Sequence, residues 1–366
     1  MPEIDWTDSM QQTFEFYEVD PETWKNKSKI NDITSFEITR DISTETIETA
    51  SFECTDSDGE YYIRAYLVAN QNGTEFRFPL GTFLVQTPSY EFDGKNRSLK
   101  VDAYSPLLEL KENPPELGYS ILKKEPNKQG TTEPTNIMKY VNDICENNMR
   151  APVIRVIDDE AVLYDNYISN TDDTWMSFVN GLLSKAKYSF ALDELGQVSF
   201  DKIIDYMALA HRWIYDDSNS SILQPKITVN RDLYKIPNVV EVFCSTDTGL
   251  LVSVIKNTDP SSPVSIPNRG REIRHRDTNP NLPGIPNQAM LDEYANQLLK
   301  TLSTIQHTVS YTHGYTPVRV GDCVLLNYKR AGLYNVKAKV ISQKFKLEPG
   351  IQVSETAVYI DRLYGG

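Results

Sequence analysis

Residues 308–360 read TVSYTHGYTPVRVGDCVLLNYKRAGLYNVKAKVISQKFKLEPGIQVSETAVYI. Short apolar–polar alternations are separated by turn residues, the pattern of half-buried strands. No catalytic signature lies among them, and a small β-barrel is the expected product. The alternation is in phase at Val336, Ala338 and Val340, then shifts to Phe345 and Leu347. A one-residue slip would turn the wrong face inward, so a bulge or bend is predicted between Ile341 and Lys344.

Upstream of this stretch the clearest helix runs from Asn287 to Gln306. Leu291, Ala295, Leu298, Leu302 and Ile305 form its stripe, Asn287 is its N-cap and Pro286 limits its extension. Residues 257–286 hold six prolines and read as irregular. Before them, Val239–Cys244 and Leu250–Ile255 read as strands around a turn at Thr246–Gly249. The first ~110 residues are again β: strands at Phe36–Thr39, Ala50–Cys54, Tyr61–Ala69, Gly81–Gln86 and Ser98–Tyr104, with polar turns between them. Ser105–Leu110 reads as a short helical exit ended by Pro114-Pro115. The middle is mixed. A helix is predicted from Asn136 to Asn148, and a second opens at Asn170–Asp173 with acidic residues capping its positive end. A hairpin, Tyr188–Leu192 with Gln197–Phe200, follows.

The fold class is therefore β-rich α+β: two β-barrels with an α+β insert domain and a helix inserted in the second barrel. The expected division is 1–112 for the first barrel, 113–205 for the insert and 206–366 for the second barrel. The last includes the proline-rich loop (257–286) and the helix (287–306).

Composition narrows the chemistry. The 366 residues carry 37 Lys and Arg against 51 Asp and Glu, so 37 − 51 = −14. Such a chain is a poor candidate for gripping phosphates, and suits a protein that must not stick to DNA. No apolar run approaches ~18 residues, and no membrane insertion is expected. The acidic N-terminus has no signal-peptide pattern, which implies folding in the cytoplasm. The four cysteines are scattered without a CxxC, which argues against a disulfide framework or zinc site; Cys244 and Cys323 read as buried thiols. GxSxG and HExxH are absent, and the four histidines pair with no serine motif. Asp56–Glu60 resembles the start of a calcium loop but lacks its closing glutamate, and reads as a hairpin turn. Catalytic residues, cofactors and metals are expected to be none.

One run stands out against the acidic background: Arg269-Gly270-Arg271-Glu272-Ile273-Arg274-His275-Arg276. Arg269, Arg271, Arg274 and Arg276 are the candidate intersubunit or partner contacts. A solvated loop whose charges meet acids of its own chain is the alternative, and nucleic-acid contact a third. The 21 tyrosines fit both strand propensity and interfaces.

Several segments together carry a resemblance. Arg40-Asp41, Ala50–Phe52, Pro79–Val85 and Leu99–Leu108 look like the N-terminal barrel of phage tail hub proteins. Asn170–Trp175, Ala191–Val198, Ile236–Val242 and Val318–Val324 are similar to the same family, in the same order. That family includes the baseplate hub of contractile phages, late control protein D, and the N-terminal part of tail-associated lysins in siphophages. The resemblance implies tube-type barrels and a homotrimeric ring that adapts a sixfold tail tube to a threefold tip and lets DNA pass without specific binding. The implied partners are the distal tail protein ring, the tape measure protein C-terminus and a central tail fibre or spike. The implied location is the virion tail tip or baseplate, assembled in the host cytoplasm. Long members append a lytic domain; the sequence stops after the second barrel, so no enzyme is expected. Alternatives are a tail-associated cell-wall hydrolase or a host-surface carbohydrate-binding tail-tip protein.

Overall fold

The structure is a computed structural model that describes residues 4–55, 57, 59–92, 94, 97–126, 132–231, 233–234, 236–246, 249–278, 280 and 287–364. The Asp56–Glu60 turn lies partly outside the described residues. The chain is β-rich and divides into two compact units: 1–225 with 311–355, and 226–310 with 356–366.

In the first unit the N-terminal strands are β1 (Gln11–Val19), β2 (Asn26–Ile30), β3 (Ser35–Asp41), β4 (Glu48–Cys54), β5 (Tyr61–Gln71), β6 (Thr74–Phe92) and β7 (Arg97–Tyr104). Their order is β3-β4-β7-β6-β5-β1-β2, antiparallel throughout. The predicted Gly81–Gln86 strand is the middle of β6. Pro79 brings no N–H to a ladder, and the register shifts there: Ala65 faces Gly81 while Tyr66 faces Pro79, leaving Leu80 as the extra residue. The bulge frees the Leu80 carbonyl, and the Arg40 guanidinium donates to it at 2.6 Å.

The C-terminal segment completes this sheet. Strand Val336–Lys346 pairs first with Cys323–Asn327, then through Ser342–Lys346 with β3. Between those partners the buried positions move from Ala338 and Val340 to Gln343 and Phe345. The predicted phase change is thus where the strand changes neighbour, and no register shift interrupts either of the two pairings. Phe345, Leu347, Ile351 and Val353 join Phe36, Ile38, Phe52 and Phe83 in one buried cluster. Phe36 and Phe52 stack at 5.4 Å. Each such ring contributes about 2–3 kcal/mol of apolar burial. Strand His211–Asp216 lies parallel to Cys323–Asn327.

The insert packs α1 (Leu108–Glu112), α2 (Ile137–Asn148) and α3 (Trp175–Ala186) with the hairpin Tyr188–Leu192/Val198–Lys202. The Asn136 side chain caps α2, accepting from the Lys139 N–H at 2.9 Å. The cap of α3 differs from expectation. Thr174 occupies it, in a reciprocal box with Ser177, while Asp173 accepts from the Ser177 hydroxyl and the Asn170 N–H. A threonine three residues before a hydroxyl satisfies two helix-end donors at once, which the acidic pair one position earlier cannot do.

The insert hairpin is pinned by one carbonyl. Leu195 accepts from Trp24 Nε1 (2.9 Å), Arg64 Nη2 (3.1 Å) and Thr82 Oγ1 (2.8 Å). Gly196 follows at φ +71°, and a Cβ there would lie 2.7 Å from the Thr82 Cβ.

In the second unit, strands Val239–Thr246 and Gly249–Lys256 form an antiparallel pair, and Arg274–Asp277 adds in parallel to the first. Two ordered pieces therefore lie in the stretch expected to be irregular: that strand, and the turn of helix α4 (Ile266–Arg269), opened by Pro267 at its second position. Proline suits a first helical turn, where its missing N–H would be unpaired anyway. Helix α5 (Gln288–Leu302) is capped by Asn287 as expected, with Met290 N–H donating at 3.0 Å. It ends earlier than predicted, and Ile305 belongs to the strand Thr304–Gly314. Leu291, Ala295 and Leu299 pack on Val240 and Val242. Cys323 is buried as expected, while Cys244 is only half-buried, beside the α5 contact.

Candidate interaction surface

The four candidate arginines take different roles. Opposed residues in the three-stranded sheet share a face. Val240, Val242, Leu251, Ile255 and Cys244 turn to α5. Asp277 does the same and accepts from the Tyr294 hydroxyl at 2.7 Å. The other face therefore carries Arg274 and Arg276 beside Val239 and Glu241, and Leu250, Val252 and Val254 beside Ser245 and Phe243.

Glu241 is the centre of that face. Arg276 Nε donates to its carboxylate at 2.7 Å, and Arg274 Nη1 donates to its other oxygen. The hydrogen bond from Arg276, aided by Arg274, holds the Glu241 carboxyl below its usual range. Arg274 also reaches Glu272, which Lys256 meets at 2.7 Å. Arg269 is spent on the backbone, donating to the carbonyls of Ile236 and Leu233 at 2.7 Å each, and burial followed by the charge of Arg271 lowers its pKa. Arg271 is exposed. The structure thus brings together Arg274 and Arg276 and sets Arg269 apart as a structural brace. Sequence reasoning missed the apolar half of the face: Leu250 is 61% exposed, Val254 47% and Val252 40%. Its signal was the run Gly249–Lys256, apolar at both phases of the alternation although only one face can be covered by a helix.

A second cluster lies in the first unit and is buried except for the partly exposed Arg319. Arg40, Glu48 and Arg319 form an ion triad, with Arg40 Nε 3.2 Å from Glu48 and Arg319 Nη2 paired to the same oxygen. Burial, then the neighbouring Arg319, pushes the Arg40 pKa down to about 10. Arg40 also donates to Gln343 (3.1 Å), and Gln343 donates to Glu355 (2.7 Å). Glu355 accepts from Tyr311 and lies 3.3 Å from His313, whose ring meets the Tyr215 hydroxyl. His313 and Glu355 have no more than 1% exposure. Its chemistry is cohesion: ion pairs and hydrogen bonds tie the paired strands β3 and β4 to residues of the C-terminal segment.

His307 sits in the second unit, stacked on Tyr359 at 4.4 Å and 3.0 Å from Asp361. Burial lowers its pKa below 6.5 despite Asp361. The unfolded chain then binds this proton more tightly than the folded chain. The stabilisation is therefore complete above about pH 6.5 and lost as pH falls through the lower folded value. The melting temperature of the wild type should drop between about pH 7 and about pH 5 more steeply than that of His307→Phe. Parallel curves would remove His307 from the account.

In the first unit, a polar cleft of about 500 Å³ is lined by Glu60, Glu109, Glu112, Asn147 and Arg150 among others. Arg150 spans it, bonded to Glu109 and to Glu60 (2.6 Å). Among the described residues no group of three His, Cys, Asp or Glu could hold a metal, and no helix is long and apolar enough to cross a membrane.

No known family profile and no curated protein sequence matches the chain. Solved structures do. A tail protein from Neisseria meningitidis MC58 is similar at TM-score 0.59 and 12% identity, over 95% of this chain and 96% of its own. The 43 kDa tail protein of prophage MuSo2 from Shewanella oneidensis is similar at TM-score 0.57 and 10% identity, over 94% and 97%. A chain of the Francisella PdpA–VgrG complex is similar at TM-score 0.56 and 11% identity, over 96% of this chain and 58% of that one. With both tail proteins the match runs almost end to end on each side, so the chain shares the fold of these two tail proteins.

Proposed function

We propose that this chain is a structural phage tail protein of the hub type, forming a homotrimeric ring at the tail tip or baseplate. The single observation that carries the reading is the reciprocal, near-complete coverage by two tail proteins of similar length. The two β regions, 1–112 and 206–366, are the tube-type barrels, and 113–205 is the insert. Three chains of two barrels each would present a quasi-sixfold surface to the tail tube and a threefold one to the tip. The distal tail protein ring, the C-terminus of the tape measure protein and a central fibre or spike are the partners this position implies. A net charge of −14 per chain lets DNA pass without gripping it. In this reading the chain acts by assembly.

The test is light scattering joined to electron microscopy of the purified chain, alone and with tail partners. Threefold rings are expected, with each interface on the order of 2,000 Å² as in obligate assemblies. A strict monomer, even with those partners present, overturns the reading. Zymography on purified peptidoglycan is expected to show no clearing by this chain; clearing would assign it hydrolase activity instead.

A further inference from the structure

The outer face of the three-stranded sheet combines two things that a solvated surface seldom needs together. Leu250, Val252 and Val254 form an exposed apolar row along one strand, with half-buried Phe243 opposite Val252. Arg276 lies across Glu241 from Val254, and Lys256 with Arg274 closes one end of the row; with Glu241 and Glu272 these give 3 − 2 = +1 on a chain of −14. An apolar row flanked at one end by arginine and lysine is the composition of a protein interface, and its charge selects an acidic occupant.

The same chain carries a complementary patch in the insert. Ile157 is 80% exposed and Tyr164 is 86% exposed, with Ile154 at 47%. Asp158, Glu160 and Asp165 are exposed among them, while the one arginine there, Arg155, is engaged by Asp143 (2.7 Å) and Glu146 (2.5 Å). One patch is apolar and basic, the other apolar and acidic.

We infer that the Leu250–Val254/Arg274–Arg276 face of one copy docks on the Ile154–Asp165 segment of the next copy, a head-to-tail contact that closes the ring. Two different patches meeting in this way make a heterologous interface, the kind that generates cyclic assemblies when the rotation closes. The inference rests on the ring reading and names its contact surfaces.

Charge exchange tests it in the full-length chain, with oligomer mass read by light scattering over a dilution series. Arg274→Glu with Arg276→Glu should raise the dissociation constant by about 100-fold or more, since like charges then meet across the contact. Asp158→Arg with Glu160→Arg should do the same, and all four changes in one chain should restore assembly. Because Arg274 and Arg276 also hold Glu241, Val252→Lys provides a variant that disturbs no ion pair, and it too should dissociate the ring. A wild-type ring left intact by Val252→Lys and by the acidic-patch variant overturns this contact while the ring reading stands. A wild type that is monomeric under every condition overturns the ring reading itself.

Discussion

Replacing Glu48 by leucine should cost about 3–5 kcal/mol of stability, because it strands two buried guanidinium groups at once. Arg40 and Glu48 are each 2% exposed at the side chain, and Arg319 13%. Burial already depresses the Arg40 pKa, a sign that the charged form is held there at a cost that Glu48 offsets. Denaturant unfolding with Arg40→Met, Glu48→Leu and Arg319→Met combined provides the counterpart. The triple variant should recover most of the loss, since an apolar triad of similar volume removes the desolvation penalty along with the attraction. A Glu48→Leu chain within about 1 kcal/mol of wild type would show that the triad is not the clasp its geometry describes.

Gly196→Val should be comparably damaging, with an expected loss of about 2–5 kcal/mol. Two effects contribute, and a second variant separates them. Gly196 has φ +71°, where a β-branched residue is strained, and its missing Cβ leaves room for Thr82. Asparagine tolerates that backbone conformation but still brings the Cβ to 2.7 Å from the Thr82 Cβ. If Gly196→Asn melts far below wild type, the collision dominates; if it melts with wild type, the backbone conformation was the whole requirement. In either case the turn matters because the neighbouring Leu195 carbonyl gathers three donors from the N-terminal strands. A Gly196→Val chain as stable as wild type would contradict both.

The sequence was most legible where the decisive chemistry is local. Asn287 announced its helix because an N-cap acts over three residues, and the helix from Asn136 was legible from its apolar spacing. The hairpin of Tyr188–Leu192 with Gln197–Phe200 was readable from equally local signals. Where two local solutions compete, the reading slipped: Asp172-Asp173 looked like the cap of α3, and Thr174 with Ser177 took it. The strand Arg274–Asp277 was hidden because its four residues are all polar or charged and carry no apolar signal; a parallel neighbour makes it a strand. The arginine run was visible as charge, but not its split into one backbone brace and two residues on a shared carboxylate.

The sequence by itself determined the local alphabet of this protein: which segments alternate, where turns and caps fall, and that the surface is acidic with one basic run. Period and capping act within a few residues, so a single chain carries them openly. Only the tertiary structure decided that residues 342–346 complete a sheet begun by residues 35–41, and that Arg40, Glu48, Arg319, Gln343 and Glu355 form one buried network. It alone decided too that Leu250, Val252 and Val254 are left uncovered beside Arg274 and Arg276. The reason is that such pairings close loops of up to about three hundred residues, whose entropic cost rises only slowly with length. Local pattern therefore permits many partners for each strand, and the choice falls to packing and charge compensation that exist only once the chain has folded.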